Sequence, residues 1–210
     1  MLDHKLRPLV DPYLEKIAGF LEQKHISPNT VTCTGAMIAC FCFIAVANQF
    51  YTLALIFLIA NRIADGLDGV LAHHIDTKKI KGKKGKTHLG SYLDTVFDML
   101  FYGGFVLFYT LGRPDAAAAG ALLLFSFIGT STSFLAYAIL AANGKKPKST
   151  KHKNKGFHYE YGLMEGSETI IAFVLMCLFP RYFTEIAAIT AIACFTTTGM
   201  RIKSAYCEYS

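Results

Sequence analysis

Four aspartates are the residues in this sequence whose type and spacing are best suited to chemistry. Asp65 and Asp68 are three positions apart, and Asp94 and Asp98 are four positions apart. On a helix such positions share a face, so each pair presents two carboxylates together. Four converging carboxylates repel one another unless a cation neutralises them. Oxygen ligands alone favour Mg²⁺, Mn²⁺ or Ca²⁺ over zinc, so the spacing predicts a divalent-cation site.

Glycines accompany both acidic pairs. Gly66, Gly69 and Gly90 have no side chain, which lets a bulky group approach the backbone closely. Metal-binding carboxylates beside an open backbone suit a nucleotide diphosphate. The alternative for each acidic pair is a structural salt bridge, either with Arg62 or with the lysines of the following loop.

Long apolar stretches must position these residues. The chain has 210 residues, of which 53% are hydrophobic and 17% are charged, whereas a soluble domain carries about 25% charged residues. A membrane-spanning helix needs about 20 apolar residues. Six stretches meet this requirement: 31–50, 51–69, 90–111, 116–142, 161–179 and 183–204. The sequence therefore predicts an all-α integral membrane protein with six transmembrane helices. It argues against a disordered chain, a small disulfide scaffold and a soluble nucleic-acid-binding protein.

The basic residues indicate the orientation in the membrane. Lys and Arg are concentrated in the N-terminal segment, in the loops 70–89 and 143–160, and at the C-terminus. Six spans place all four of these regions on one side. By the positive-inside rule that side is cytoplasmic, so both termini and the aspartates are expected there.

The N-terminal segment, 1–26, is amphipathic. Its apolar residues recur at three- and four-residue steps with charged residues between them, as in a helix that lies in the membrane interface. The alternative is a helix packed on protein. Ser27-Pro28 is a typical cap for the helix that follows. We therefore divide the chain into an interfacial segment, 1–26, and a membrane domain, 27–210.

The acidic segments resemble the signature of the CDP-alcohol phosphatidyltransferase family, D-x-x-D-G-x-x-A-R followed by G-x-x-x-D-x-x-x-D. This chain reads Asp65-x-x-Asp68-Gly69-x-x-Ala72-His73, then Gly90-x-x-x-Asp94-x-x-x-Asp98. Every fixed position matches except the arginine, which is His73 here. The six spans and the N-terminal segment also resemble the short bacterial members, so the resemblance covers essentially the whole chain.

The resemblance implies a reaction and a set of roles. A CDP-linked lipid such as CDP-diacylglycerol would give its phosphatidyl group to a small alcohol, releasing CMP, in an enzyme that depends on Mg²⁺ or Mn²⁺. The implied metal ligands are Asp65, Asp68, Asp94 and Asp98, with Asp98 also the general base. The implied nucleotide-binding residues are Gly69, Ala72, His73 and Gly90. A homodimer in the bacterial cytoplasmic (inner) membrane is also implied.

Three points stay open at this stage. The reaction could instead join a CDP-alcohol such as CDP-choline or CDP-ethanolamine to diacylglycerol, or the chain could be a transporter or an inactive homologue. In the long basic insert between His73 and Gly90, His74, Lys78 or another lysine could act in place of the missing arginine. Glu165 and Arg201 could form part of an acceptor pocket, although helix capping and membrane anchoring explain them equally well.

Overall fold

The computed structural model describes residues 3–78, 85–142 and 162–209, and all regular structure within these ranges is helical. The seven α-helices are α1 (Asp3–Gln23), α2 (Pro28–Ala47), α3 (Tyr51–Lys78), α4 (His88–Gly112), α5 (Ala117–Ala142), α6 (Gly166–Leu178) and α7 (Phe183–Tyr209). Short 3₁₀ turns occur at Pro114–Ala116 and Pro180–Tyr182. The chain divides into two compact units, Leu2–Pro114 and Asp115–Ser210. The predicted division into an interfacial segment, 1–26, and a membrane domain, 27–210, stays a prediction.

Each predicted apolar stretch overlaps one of the helices α2 to α7. Within the described residues, four segments are long and apolar enough to cross a membrane: Pro28–Ala47, His88–Gly112, Pro114–Leu140 and Pro180–Cys207. The apolar part of α3 is interrupted by Arg62, Asp65 and Asp68, and α6 has only 13 residues. The all-α membrane fold is therefore confirmed with four candidate spans, whereas the six-span arrangement stays a prediction.

Helix α3 is longer than the sequence predicted. The predicted loop, 70–89, begins too early, because α3 continues as a helix to Lys78. The extension presents Leu71 and Ile75 on one face, and both are buried in a cluster with Leu14 and Ala18 of α1. Burying this apolar face stabilises the extra turns, since helical stability comes mainly from tertiary packing.

Helix α1 carries apolar residues on two faces. Leu14 and Ala18 face α3 and are buried, so the alternative of a helix packed on protein is correct for this face. A neighbouring face exposes large apolar side chains: Val10, Tyr13, Ile17 and Phe20. Contact of this second face with the membrane interface stays a prediction.

The turn between α1 and α2 is fixed by hydrogen bonds. His25 adopts a left-handed conformation with φ 59°, and the Ile26 amide donates to the Leu21 carbonyl over 3.0 Å. This is a common way to end a helix. Ser27 then caps α2 by accepting from the Thr30 amide over 3.2 Å, with Pro28 as the first helical residue, as the sequence predicted.

Helix α2 packs against both α3 and α4 and holds them in place. The Phe43 ring of α2 stacks on two rings of α4, with centroid distances of 5.3 Å to Phe108 and 6.0 Å to Phe101. At the far end Gln49, in the turn after α2, donates to the Gly112 carbonyl over 2.7 Å. These contacts fix the position of the acidic face of α4.

In the C-terminal unit, α5 and α6 both pack against α7. The Arg201 guanidinium of α7 donates to the Thr130 carbonyl of α5 over 2.9 Å. The Met164 amide, just before α6, donates to Thr197 Oγ1 over 2.9 Å. Polar contacts of this kind join helices whose surroundings are apolar.

Candidate active site

The structure brings the four aspartates together around one small cavity. Asp65 and Asp68 come from α3, and Asp94 and Asp98 come from α4. The remaining walls are small or uncharged apart from Arg62: Thr32, Gly35, Ala36, Ala39, Asn61, Arg62 and Phe97. The expected meeting of the two acidic faces therefore occurs, and the chemical role of each carboxylate stays a prediction.

Arg62 lies among these carboxylates. Its Nη1 is 2.6 Å from Asp98 Oδ1 and 3.5 Å from Asp65 Oδ2. The arginine side chain is 17% exposed, less than either partner. The salt-bridge alternative considered for the acidic pairs is thus present, at one carboxylate of each pair.

The other two carboxylates have different surroundings. Asp68 is buried and accepts a hydrogen bond from the Thr32 hydroxyl of α2. Neither Asp68 nor Asp94 has an ion pair with Arg62 among the contacts of the described residues. Burying a carboxylate without a cation is costly, so the buried Asp68 is stabilised by a positive ligand, whereas Asp94 is exposed.

The four carboxylates suit a hard divalent cation by their chemistry, because they supply only oxygen atoms. Within residues 3–78, 85–142 and 162–209, however, no three His, Cys, Asp or Glu side chains are grouped closely enough to hold a metal ion. In this arrangement two of the carboxylates, Asp65 and Asp98, pair with Arg62. The oxygen atoms of the four aspartates fit Mg²⁺ or Mn²⁺ by their chemistry. Their side chains must move to surround one ion.

A larger cleft adjoins the acidic cavity, and the two share Thr32, Asp68 and Asp94. Three of the small residues that the sequence assigned to nucleotide binding line it: Gly69, Ala72 and Gly90. Among the described residues, no atom outside the helix's own backbone lies within 4 Å of the position that a Gly69 Cβ would take. Gly66 differs, since a Cβ there would lie 3.3 Å from Leu14 of α1.

The sequence also matches a family model. Residues 25–199 match the model for CDP-alcohol phosphatidyltransferases. The chain belongs to the CDP-alcohol phosphatidyltransferase family. The predicted enzyme class, a membrane transferase of phospholipid synthesis, is therefore confirmed. The transporter alternative is not supported.

Relatives and solved structures agree with this family. The chain is 39% identical over 207 residues to the inner membrane protein YnjF of Escherichia coli, covering 98% of this chain and 96% of that protein. An uncharacterized protein of Aquifex aeolicus is 26% identical over 135 residues, 64% of each chain. The fold is similar to that of the Mycobacterium tuberculosis phosphatidylinositol phosphate synthase PgsA1, solved with CDP-DAG bound. The TM-score is 0.71 at 17% identity, over 93% of this chain and 94% of the synthase.

The chain departs from the family signature at His73. This side chain is exposed on α3, and its Nε2 lies 3.4 Å from the Thr77 hydroxyl. It is not among the described residues that line either the acidic cavity or the cleft. Its predicted part in nucleotide binding is untested.

Lys86 instead lines the cleft, at the end of the basic insert. Its backbone amide donates to Asp76 Oδ2 over 2.9 Å. The preceding Gly85 packs so closely against Asp76 and the Ala72 carbonyl that a Cβ would clash with them. The sequence suggested His74, Lys78 or another loop lysine in place of the arginine and did not single out Lys86. The signal in the sequence that could have indicated Lys86 is its position between Gly85 and Thr87, the residue that caps α4. Residues 79–84 lie outside the described residues.

Glu165 and Arg201 belong to the C-terminal unit, where their observed contacts are structural. Glu165 caps α6 in a capping box with Glu168, whose Oε2 accepts from the Glu165 amide over 3.3 Å. Arg201 donates to Thr130 and lies over the Phe134 ring, 5.5 Å from its centroid. Their assignment to an acceptor pocket stays a prediction.

Proposed function

We propose that this enzyme transfers a phosphatidyl group from CDP-diacylglycerol to a small alcohol and releases CMP. The observation that carries the proposal is the shared wall of the two cavities. The family aspartates Asp68 and Asp94 line both the acidic cavity and the larger cleft. A nucleotide in the cleft would thus place its diphosphate next to the carboxylates.

The residues of the cleft suit a CDP group. Gly69 leaves room for close approach to the backbone, and Ala72 and Gly90 also line the cleft. Lys86 adds a positive charge at the side of the cleft, where it can attract a diphosphate. The solved synthase PgsA1 with CDP-DAG bound, which shares this fold, supports the same class of donor.

In the proposed reaction, the acceptor hydroxyl oxygen forms a bond to the phosphorus that carries the diacylglycerol. The bond from that phosphorus to the bridging oxygen breaks, and CMP leaves with that oxygen. Asp98 would take the hydroxyl proton as the attack proceeds, the role of a general base. Its position suits this role, because Asp98 lines the acidic cavity without lining the larger cleft.

The four aspartates would hold Mg²⁺ or Mn²⁺ in this proposal. Such an ion, when bound, neutralises charge on the diphosphate and on the departing CMP. Asp68 and Asp94 would then contribute from the side of the cleft, and Asp65 and Asp98 from the side of Arg62.

We further propose a multi-pass arrangement in the inner membrane, with both termini and the aspartates on the cytoplasmic side. The name of the E. coli relative supports the inner membrane, and the clustered lysines support the orientation. The exposed apolar face of α1, which includes Tyr13 and Phe20, suits the membrane interface. CMP could then leave into water while the acyl chains stay in lipid.

The test is CMP release by the purified protein in lipid nanodiscs. One arm supplies CDP-diacylglycerol with glycerol phosphate, inositol phosphate or serine, and a second arm supplies CDP-choline or CDP-ethanolamine with diacylglycerol. The proposal expects CMP release in the first arm that depends on one of the acceptors. An acceptor-free reaction measures hydrolysis. Release confined to the second arm would replace the proposed donor with a CDP-alcohol.

A further inference from the structure

Arg62 is held by contacts that the family signature does not include. Its Nε and Nη2 lie 2.9 and 2.6 Å from Asn61 Oδ1. Asn61 is itself buried, and its amide donates to the Gly35 carbonyl of α2 over 2.8 Å. Because that bond uses the amide nitrogen, the oxygen is left facing the guanidinium. The arginine is therefore held in a defined direction, towards α4.

Aromatic residues of α4 complete its surroundings. The guanidinium carbon lies 4.5 Å from the Phe101 ring centroid and 5.8 Å from that of Tyr102, within the range of a cation–π interaction. The Tyr102 hydroxyl donates to Asp98 Oδ2 over 3.1 Å, while Arg62 occupies Oδ1. Both oxygens of Asp98 are thus engaged.

Arg62 offsets part of the negative charge of the acidic cavity. Among the described residues that line the acidic cavity, it is the one cation beside four aspartates. Its two ion pairs reach Asp65 and Asp98, one carboxylate on each acidic helix. A planar guanidinium suits this position because it pairs with carboxylates and stacks on aromatic rings at once.

We propose that Arg62 is a resident counter-ion of the acidic cavity that competes with a divalent cation for Asp98 and Asp65. The inference rests on the proposed function in one respect, that these carboxylates bind such an ion. Binding linkage is reciprocal, so if Arg62 lowers the affinity for the ion, the bound ion weakens the contacts of Arg62 with these carboxylates by the same factor. Without the ion, Arg62 limits the repulsion among the carboxylates.

The first experiment measures Mn²⁺ binding by electron paramagnetic resonance on purified protein after treatment with EDTA. Arg62→Gln should bind Mn²⁺ about tenfold more tightly or better, because it removes a unit charge within a few ångströms of the ligands. The same variant should unfold at a lower temperature in EDTA and recover more stability from Mn²⁺ than the parent. Arg181→Gln, which removes an equal charge from the other unit, is the matched control and should change neither value.

The second experiment needs no variant and covers the case in which Arg62→Gln does not fold. Phenylglyoxal modifies accessible arginines, and mass spectrometry locates the label. Competition predicts that Mn²⁺ increases the labelling of Arg62 in the parent protein while labelling of Arg113 and Arg181 stays the same.

The outcomes separate the two proposals. Mn²⁺ binding to the parent that Arg62→Gln leaves unchanged or weakens would overturn the competition, as would unchanged or reduced labelling of Arg62 with Mn²⁺ bound. If neither protein binds Mn²⁺, the proposed metal site is wrong and the competition fails with it. Binding by Arg62→Gln alone would support the competition in its strongest form.

Discussion

Replacing Gly69 by alanine should leave the protein folded while weakening the binding of the CDP-lipid donor. Gly69 lies on α3 and lines the larger cleft. Among the described residues, no atom apart from the helix's own backbone lies within 4 Å of the new methyl group. Alanine is about 1 kcal/mol more favourable than glycine in a helix interior. The free energy of unfolding should therefore stay the same or rise.

The cost appears only when the cleft is occupied. If the nucleotide contacts the backbone at Gly69, the methyl group overlaps it. Overpacking by one methyl group costs about 1–3 kcal/mol. Since about 1.4 kcal/mol is a factor of ten, the KM for CDP-diacylglycerol should rise about 5- to 150-fold. Release of CMP at saturating donor should change much less.

The assay measures CMP release against the mole fraction of CDP-diacylglycerol in mixed micelles, together with the midpoint of thermal unfolding. Gly199→Ala is the matched control. Gly199 lies on α7, and within the described part of the chain its Cβ position also has no neighbour closer than 4 Å. Both variants gain the same helix propensity. A Gly69→Ala enzyme with the parent's KM would refute the placement of the nucleotide against this part of α3.

Three further predictions concern the same cavities. Asp98→Asn should lower the rate of transfer about 10²- to 10⁴-fold, measured by CMP release, while equilibrium binding of the CDP-lipid is retained. A loss of rate under about tenfold would show that Asp98 is not the general base. Excess EDTA should abolish transfer, and Mg²⁺ or Mn²⁺ should restore it; full activity in EDTA would contradict the metal proposal. Lys86→Gln should raise the donor KM roughly fivefold at low salt, since one lysine near an anionic surface contributes about 1 kcal/mol. The exposed Lys78→Gln at the end of α3 is its control, and equal effects would refute a specific role for Lys86.

The sequence predicted the meeting of the acidic faces because that meeting depends on local rules. Helical periodicity puts Asp65 with Asp68 and Asp94 with Asp98, and a connection on one side of the membrane brings α3 and α4 together. Ser27-Pro28 at the start of α2 was predictable for the same reason. The family signature then supplied the reaction class, which spacing alone could not.

Contacts between distant segments could not be predicted in this way. The i, i+4 spacing of Leu71 and Ile75 suits a helix, but the extension of α3 to Lys78 depends on their burial by α1, which the spacing does not reveal. Similarly, Arg62 was recognised as a salt-bridge candidate, but its choice of Asp98 depends on how α2 packs both helices. The position of Lys86 in the cleft depends on the backbone contact with Asp76.

The gap between four candidate spans and six predicted ones has a chemical origin in α3. A helix that crosses a membrane is favoured by uniform apolarity, because each charged residue at its centre costs about 2.5–3.5 kcal/mol on insertion scales. Helix α3 instead carries Arg62, Asp65 and Asp68 within its apolar part. Pairing Arg62 with two carboxylates lowers that cost, since a paired charge is less unfavourable in an apolar region than an isolated one. The residues that make α3 a weak span by composition are thus the same ones that give the cavity its chemistry.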